Sequence, residues 1–193
     1  IGFDYDAHGP DGAVGIERSF EPWNRVHLLP TVLPTLEGVE DKLRAGARVA
    51  DIGCGAGGAV LLMAEAFPKS TFTGYDISQH ALARARERLE EAGLTNASFV
   101  DPRTDPLPSD HSLDLVTTFD CIHDMTDPQG MIGFNIGAHI SDLRTYSGPS
   151  QHRPVIARRS AAARRRSRPG GRNRWPARNP GRCPRAGRAG ADR

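Results

Sequence analysis

Apolar and polar positions are sharply patterned between Arg48 and Asp120 and weakly patterned on either side. The run Arg48-Val-Ala-Asp-Ile-Gly53 is short, largely apolar and closes in a glycine-rich turn, which predicts a buried strand. The apolar stretch from Gly57 to Phe67 predicts a helix that Pro68 stops. Thr71–Asp76 predicts a second strand. Ser78 then stands as an N-cap before a helix over 79–92, in which Ala81, Leu82, Ala85, Leu89 and Ala92 fall on one face. Gly93 is placed to end it. A third strand follows at 97–101 and a fourth at 113–120, rich in β-formers. Strands alternating with helices at this spacing predict βαβ units, a parallel sheet and the α/β class.

The flanks are different. Phe3–Gly15 is rich in Gly and Asp and reads as loop. From Glu17 to Leu43, short apolar patches broken by Pro22, Pro30 and Pro34 predict two or three short helical pieces. After Gly133 no strand of comparable quality is legible. The expected organisation is therefore a cap or linker segment over 1–44, a core over 45–133 and an Arg-rich tail over 134–193.

Charge sharpens that division. The net charge of +2 hides a split: residues 1–150 carry 11 Lys and Arg against 22 Asp and Glu, while residues 151–193 carry 14 Arg, no Lys and one acid, Asp192. In that last stretch Arg, Ala, Pro and Gly make up 32 of 43 residues, and the large apolar residues are one Val, one Ile and one Trp. Such a segment cannot bury enough apolar surface to offset its ordering entropy, so disorder is expected there.

Several function classes drop out. No apolar run approaches the ~18 residues of a spanning helix, so no membrane partner is expected. No charged and apolar leader is legible. Cys54, Cys121 and Cys183 are odd in number and far apart, which fits neither a disulfide framework nor a zinc site. A reducing cytoplasm and no metal are the expectations. The sequence begins at Ile1, and upstream residues are expected. Fourteen arginines would attract phosphate, but only Trp175 could stack on a base and no groove-reading element is visible, which argues against a nucleic-acid partner.

The candidate chemistry centres on Asp51-Ile-Gly53-Cys-Gly55-Ala-Gly57-Gly58. Glycines after a buried strand let the backbone turn tightly and let a ligand lie on bare main chain, and the following helix start offers free N–H groups. A strand–helix turn with no ligand is the plain alternative. A dinucleotide site is another: Gly53, Gly55 and Gly58 satisfy G-x-G-x-x-G, and Asp76 lies 18 residues beyond Gly58, near the ~20 expected of a ribose carboxylate. Against it, Asp51 puts a negative charge where a pyrophosphate would sit. A carboxylate there suits a ligand with a cationic amino group.

These segments resemble the class I S-adenosylmethionine-dependent methyltransferases. "VADIGCGAGG" resembles their first motif, "TGYDIS" their second, "FVDPRTDPLP" their third, and "SLDLVTTFDCIHDMTDP" their fourth strand and following loop, in the family's order over about residues 45–133. "IGFDYDAHG" and "CIHDM" further resemble an actinobacterial subgroup whose members carry an N-terminal winged-helix segment. The resemblance implies a Rossmann-like sheet in the order 3-2-1-4, S-adenosyl-L-methionine as methyl donor and a small or medium-sized acceptor. It implies that Asp51, Gly53, Gly55 and Gly57 hold the methionine end, Asp76 the ribose hydroxyls, Ile77 and Asp101 the adenine, and that Phe119 and Asp120 approach the methionine end. His123 and Asp124, just past the fourth strand, are candidates to orient an acceptor or act as general base, with a solvated loop as the plain alternative. Cys54 reads as a small residue in a packed turn. For Tyr5, His8 and Trp23, cofactor cover and ordinary packing both stand open. The family continues with a Lys-Pro-Gly-Gly-like turn and three more strands, none legible here. A mixture of Arg, Ala, Pro and Gly is what GC-rich DNA encodes out of frame, so a frameshift near residues 131–136 is expected, leaving the fourth strand as an exposed edge. Two other functions stay open: a non-catalytic S-adenosylmethionine-binding or inactive truncated product, and a dinucleotide oxidoreductase.

Overall fold

The computed structural model describes residues 5–108, 110 and 112–125, together with the backbone of two strands at 142–145 and 155–158. Its frame is a sheet in the order β3-β2-β1-β4-β6-β5. β1 (Arg48–Ile52), β2 (Thr71–Tyr75), β3 (Ala97–Val100) and β4 (Leu115–Thr118) are parallel, in the expected 3-2-1-4 order. β1 is central and four of its five residues are buried, the near-continuous burial of a strand covered on both faces. Register sets Asp51 beside Gly74 of β2 and Thr117 of β4.

The helices follow the sequence pattern closely in the core. α3 (Gly58–Ala66) buries Val60, Met63 and Ala64 against Val49, Phe72 and Phe99. Val60 and Met63 each contribute roughly 1.5–3 kcal/mol on burial. α4 (Gln79–Ala92) starts where Ser78 Oγ accepts the Ala81 N–H at 3.2 Å, buries Ala81, Leu82 and Ala85, and ends on Gly93 at φ +63°.

The N-terminal segment departs from expectation. The stretch read as loop contains a short 3-10 turn, Tyr5–His8, and most of the first half of α1 (Gly9–Trp23). Pro10 sits in the first turn, where its missing N–H costs nothing. Long-range ion pairs then hold the helix down: Arg84 of α4 donates to Glu17 at 2.8 Å and Arg88 to Glu21 at 2.9 Å. Composition alone does not reveal partners 67 residues away. Pro22 and Pro30 do not break the rod either. It runs on as a widened π-helix, Asn24–Val32, before α2 (Val39–Ala45).

The C-terminal side also differs. β6 (Val155–Arg158) pairs antiparallel with β4, and β5 (Asp142–Thr145) antiparallel with β6. Two short strands therefore lie inside the stretch read as a tail without order, and β4 is not left as a bare edge. Edge pairing needs backbone groups rather than a large apolar side-chain set. The rest of 134–193, with the frame change expected at 131–136 and Cys183 and Trp175, lies outside the described residues. Among the described residues no helix is long and apolar enough to cross a membrane.

Candidate functional site

A cavity of about 650 Å³ opens at the C-terminal ends of β1, β2 and β4, where open α/β sheets bind ligands. The volume lies within the ~300–1,000 Å³ of small-molecule sites. The glycine turn forms its floor, with Asp51, Gly53, Cys54 and Gly55 all lining it. The Gly53 and Cys54 N–H groups both donate to Tyr75 O, at 2.8 and 3.1 Å, which pins the turn to β2. Two glycines show why side chains are excluded. At Gly57, φ is +78° and a Cβ would lie 2.4 Å from the Phe99 ring. At Gly55, φ is +53° and a Cβ would meet nothing within 4 Å, so its main chain is bare toward open space. Gly57 is thus a packing requirement behind the turn, although it was expected to contact the ligand with Gly53 and Gly55.

Two carboxylates stand over the turn. Asp51 is buried, and its Oδ1 accepts the Thr117 hydroxyl at 2.6 Å. Burial pushes its pKa up to about 7, against the lowering effect of the Thr117 bond and with a further push from Asp76. Asp76 is oriented by two backbone donors: Gly55 N–H to Oδ2 at 2.8 Å and Ser78 N–H to Oδ1 at 2.9 Å. Desolvation raises its pKa as well. Each oxygen retains a lone pair, so the carboxylate can still accept from a diol. Ile77, 52% exposed, presents a large apolar face to the same cavity.

Asp101 is not brought to the cavity wall. Arg103 forks onto its carboxylate at 2.7–3.0 Å and Gln79 Nε2 donates to it at 2.8 Å, which lowers its pKa to about 2. Arg103 also donates to Ile77 O at 2.8 Å, so Asp101 acts at one remove by fixing the rim beside Ile77, while its neighbour Pro102 lines the cavity.

Phe119, Asp120, Cys121, His123, Asp124 and Met125 form the opposite wall, after β4. Asp120 holds φ +53°, a left-handed conformation that Asp tolerates better than most residues. His123 is largely exposed. Its Nε2 lies 3.2 Å from Asp124 Oδ2 and its Nδ1 3.6 Å from Asp120 Oδ1. The Tyr5 hydroxyl donates to Asp124, and that bond pushes its pKa up to about 12. Asp6 accepts from the Ser78 hydroxyl at 2.6 Å and from the Gln79 N–H at 3.2 Å. The Tyr5–His8 turn therefore ties the β4 loop to the start of α4 across the cavity mouth. Of the three residues left open between cofactor cover and packing, Tyr5 lines the cavity, His8 does not, and Trp23 packs against the core with its ring centroid 5.5 Å from His27. Cys54 is a packed turn residue whose thiol burial keeps protonated, and the Cys121 thiol is pushed up to about 12.

Sequence reasoning missed one wall. Ala13, Ile16, Glu17, Phe20, Glu21 and Asn24 on α1 and its continuation line the cavity, with Arg88 of α4 behind them. The i, i+3, i+4 spacing of 13, 16, 17, 20, 21 and 24 was the available signal. Thr117, which aims Asp51, was read only as a strand former.

The observed donor set fits an adenosyl amino acid. The buried Asp51 carboxylate would suit a cationic amine, the bare Gly55 main chain lies beside it, the pre-oriented Asp76 carboxylate would suit a diol, and the exposed Ile77 face would suit a base. A parallel 3-2-1-4 sheet carrying this turn defines the class I S-adenosylmethionine-dependent methyltransferase architecture. The chain belongs to the methyltransferase-domain family, whose model matches residues 43–171, past the last motif legible in the sequence. Over 74 residues it is 38% identical to a trans-aconitate 2-methyltransferase of Delftia acidovorans, covering 38% of this chain and 27% of that enzyme. Over 125 residues it is 34% identical to a carboxy-S-adenosyl-L-methionine synthase of Chromohalobacter salexigens, covering 64% of this chain and 38% of that enzyme. An O-methyltransferase family protein from Burkholderia thailandensis shares the fold, with a TM-score of 0.52 at 13% identity, covering 81% of this chain and 61% of that one. The matched segments are well under two thirds of the curated relatives' own length.

Proposed function

We propose that this protein transfers a methyl group from S-adenosyl-L-methionine to a small or medium-sized acceptor in the cytoplasm. The observation that carries the reading is Asp51, a buried carboxylate at the end of β1, above main chain that Gly55 leaves bare. When bound, the sulfonium supplies an already activated methyl group. The protein's own work is then positional. Asp51, aimed by Thr117, accepts from the amino group of the donor. Asp76, held by the Gly55 and Ser78 N–H groups, accepts from the ribose. Ile77 covers one face of the base, and Asp101 steadies that rim through Arg103.

The acceptor enters past Phe119 and Asp120, opposite Tyr5. Holding donor and nucleophile in line at ~3–3.5 Å supplies most of the rate gain in such a site. His123 and Asp124 are placed to take the proton an acceptor loses, and His123 is exposed enough to pass it to water. The relatives differ in what their names say they act on, so no acceptor is carried over from them.

Against a dinucleotide stands Asp51, since a pyrophosphate over the turn would face its buried carboxylate. The test is formation of S-adenosylhomocysteine from S-adenosylmethionine in the presence of fractionated small-molecule extracts. Turnover with one fraction, lost in Asp76→Ala, supports the reading. Tight donor binding with no turnover against any fraction favours a non-catalytic binding protein.

A further inference from the structure

The donor contacts leave part of the cavity unassigned. Three large apolar residues are exposed among the described residues, Ile16, Val26 and Ile77, and two of them line this cavity. Ile77 serves the base in the donor reading, whereas Ile16 has no part in it. Ile16 stands on α1 one turn before Phe20, which lines the cavity from the same helix face. Phe119 and Met125, both half-buried, line it from the β4 side. Exposed apolar surface inside a concave site suits an apolar ligand that covers it.

Charge narrows what that ligand can be. Arg88 and His123 are the only basic side chains among the described residues that line the cavity. Arg88 is taken: it pairs with Glu21 at 2.9 Å, lies 3.5 Å from Glu17 and donates to Ala56 O at 3.0 Å. His123 stands between Asp124 at 3.2 Å and Asp120 at 3.6 Å. Among the described residues, a carboxylate or phosphate brought to this wall would meet two carboxylates and no uncommitted cation.

We propose that the acceptor is a largely apolar molecule with no anionic group, its nucleophile a hydroxyl or an amine and its apolar body seated against Ile16 and Phe20. The inference rests on the methyl-donor reading of the cavity and adds the class of the acceptor. The nucleophile's lone pair forms the bond to the methyl carbon as the carbon–sulfur bond of the sulfonium breaks, leaving a thioether, and the proton it sheds goes to Asp124 or His123. Selection works by repelling the wrong charge as much as by fitting the right shape.

The experiment titrates the full chain, saturated with S-adenosylhomocysteine, with three probes of similar shape: 4-phenylbutanol, 4-phenylbutylamine and 4-phenylbutyrate. The alcohol and the amine are expected to bind, and the carboxylate to bind at least about tenfold more weakly through like-charge repulsion. Asp124→Asn should narrow that gap. Ile16→Ser should weaken the alcohol about fourfold, the scale of one methylene of apolar contact, and leave S-adenosylhomocysteine within twofold, which also shows that the variant folds. Carboxylate binding as tight as that of the alcohol, an alcohol affinity indifferent to Ile16→Ser, or no binding of any probe to the loaded chain overturns the acceptor class while the donor site stands. A chain that does not bind S-adenosylhomocysteine overturns the donor site, and the inference with it.

Discussion

Asp51→Asn separates the cost of the site from its use. The Asp51 carboxyl titrates near pH 7 because burial disfavours its charge, against 3.8 for the free group. That difference corresponds to an ionisation penalty of about 4 kcal/mol. The folded protein holds this proton over a range where the unfolded chain has lost it. The stabilisation is therefore complete below pH 4 and declines as pH rises through about 7. Above pH 8 the wild type carries the full penalty and the Asn variant does not. The variant should melt several degrees higher at pH 8.5 and near the wild type only below pH 4, with the gap opening steadily between pH 4 and 7. Ligand binding runs the other way. A cationic amine favours the ionised carboxylate, so wild-type affinity for S-adenosylhomocysteine should fall about tenfold from pH 8 to pH 6, as the ionised fraction drops to roughly a tenth. In the Asn variant the affinity should be lower throughout and much flatter with pH. Thermal melts across pH and titration calorimetry read both effects. A variant less stable than wild type at pH 8.5, or a wild-type affinity that does not change between pH 6 and 8, refutes the reasoning.

Other outcomes follow from particular contacts. Gly57→Ala places a Cβ 2.4 Å from the Phe99 ring at φ +78° and should cost at least about 2 kcal/mol in urea denaturation. Gly55→Ala, facing open space, should cost only about 1 kcal/mol but weaken donor binding. Glu17→Gln removes the carboxylate that Arg84 and Arg88 share and should lower stability by about 1–3 kcal/mol at pH 7. Because Arg84 holds the Glu17 pKa below 4.5, this contribution is present above that pH and fades as pH falls below it, so wild type and variant should converge in acid. A frame change near residues 131–136 would leave apolar strand patterns in another frame of the gene downstream. If DNA sequencing finds none, that account of the Arg-rich composition fails.

What was legible in the sequence was whatever local physics decides. Ser78, Gly93 and Pro68 mark helix ends by capping and by a missing donor, and the structure places those ends where they point. The glycine turn announced itself because few backbone positions demand so many glycines, and Asp51 and Asp76 stood at predictable strand ends. Residues whose role depends on distant partners were not legible. α1 is held by Arg84 and Arg88, Asp101 is drawn aside by Arg103, and Asp51 is aimed by Thr117 across a strand pair. β5 and β6 were invisible because they join the sheet through backbone pairing from a stretch with almost no apolar periodicity.

The proposed methyl-donor site is the cavity over Gly53–Gly55. Titration calorimetry of the chain with S-adenosylhomocysteine, and with NAD in parallel, tests it most directly. Saturable one-to-one binding of S-adenosylhomocysteine, abolished in Asp76→Ala, with no heat from NAD, is the expected result. Binding of NAD in preference, or of neither ligand by a folded sample, contradicts it.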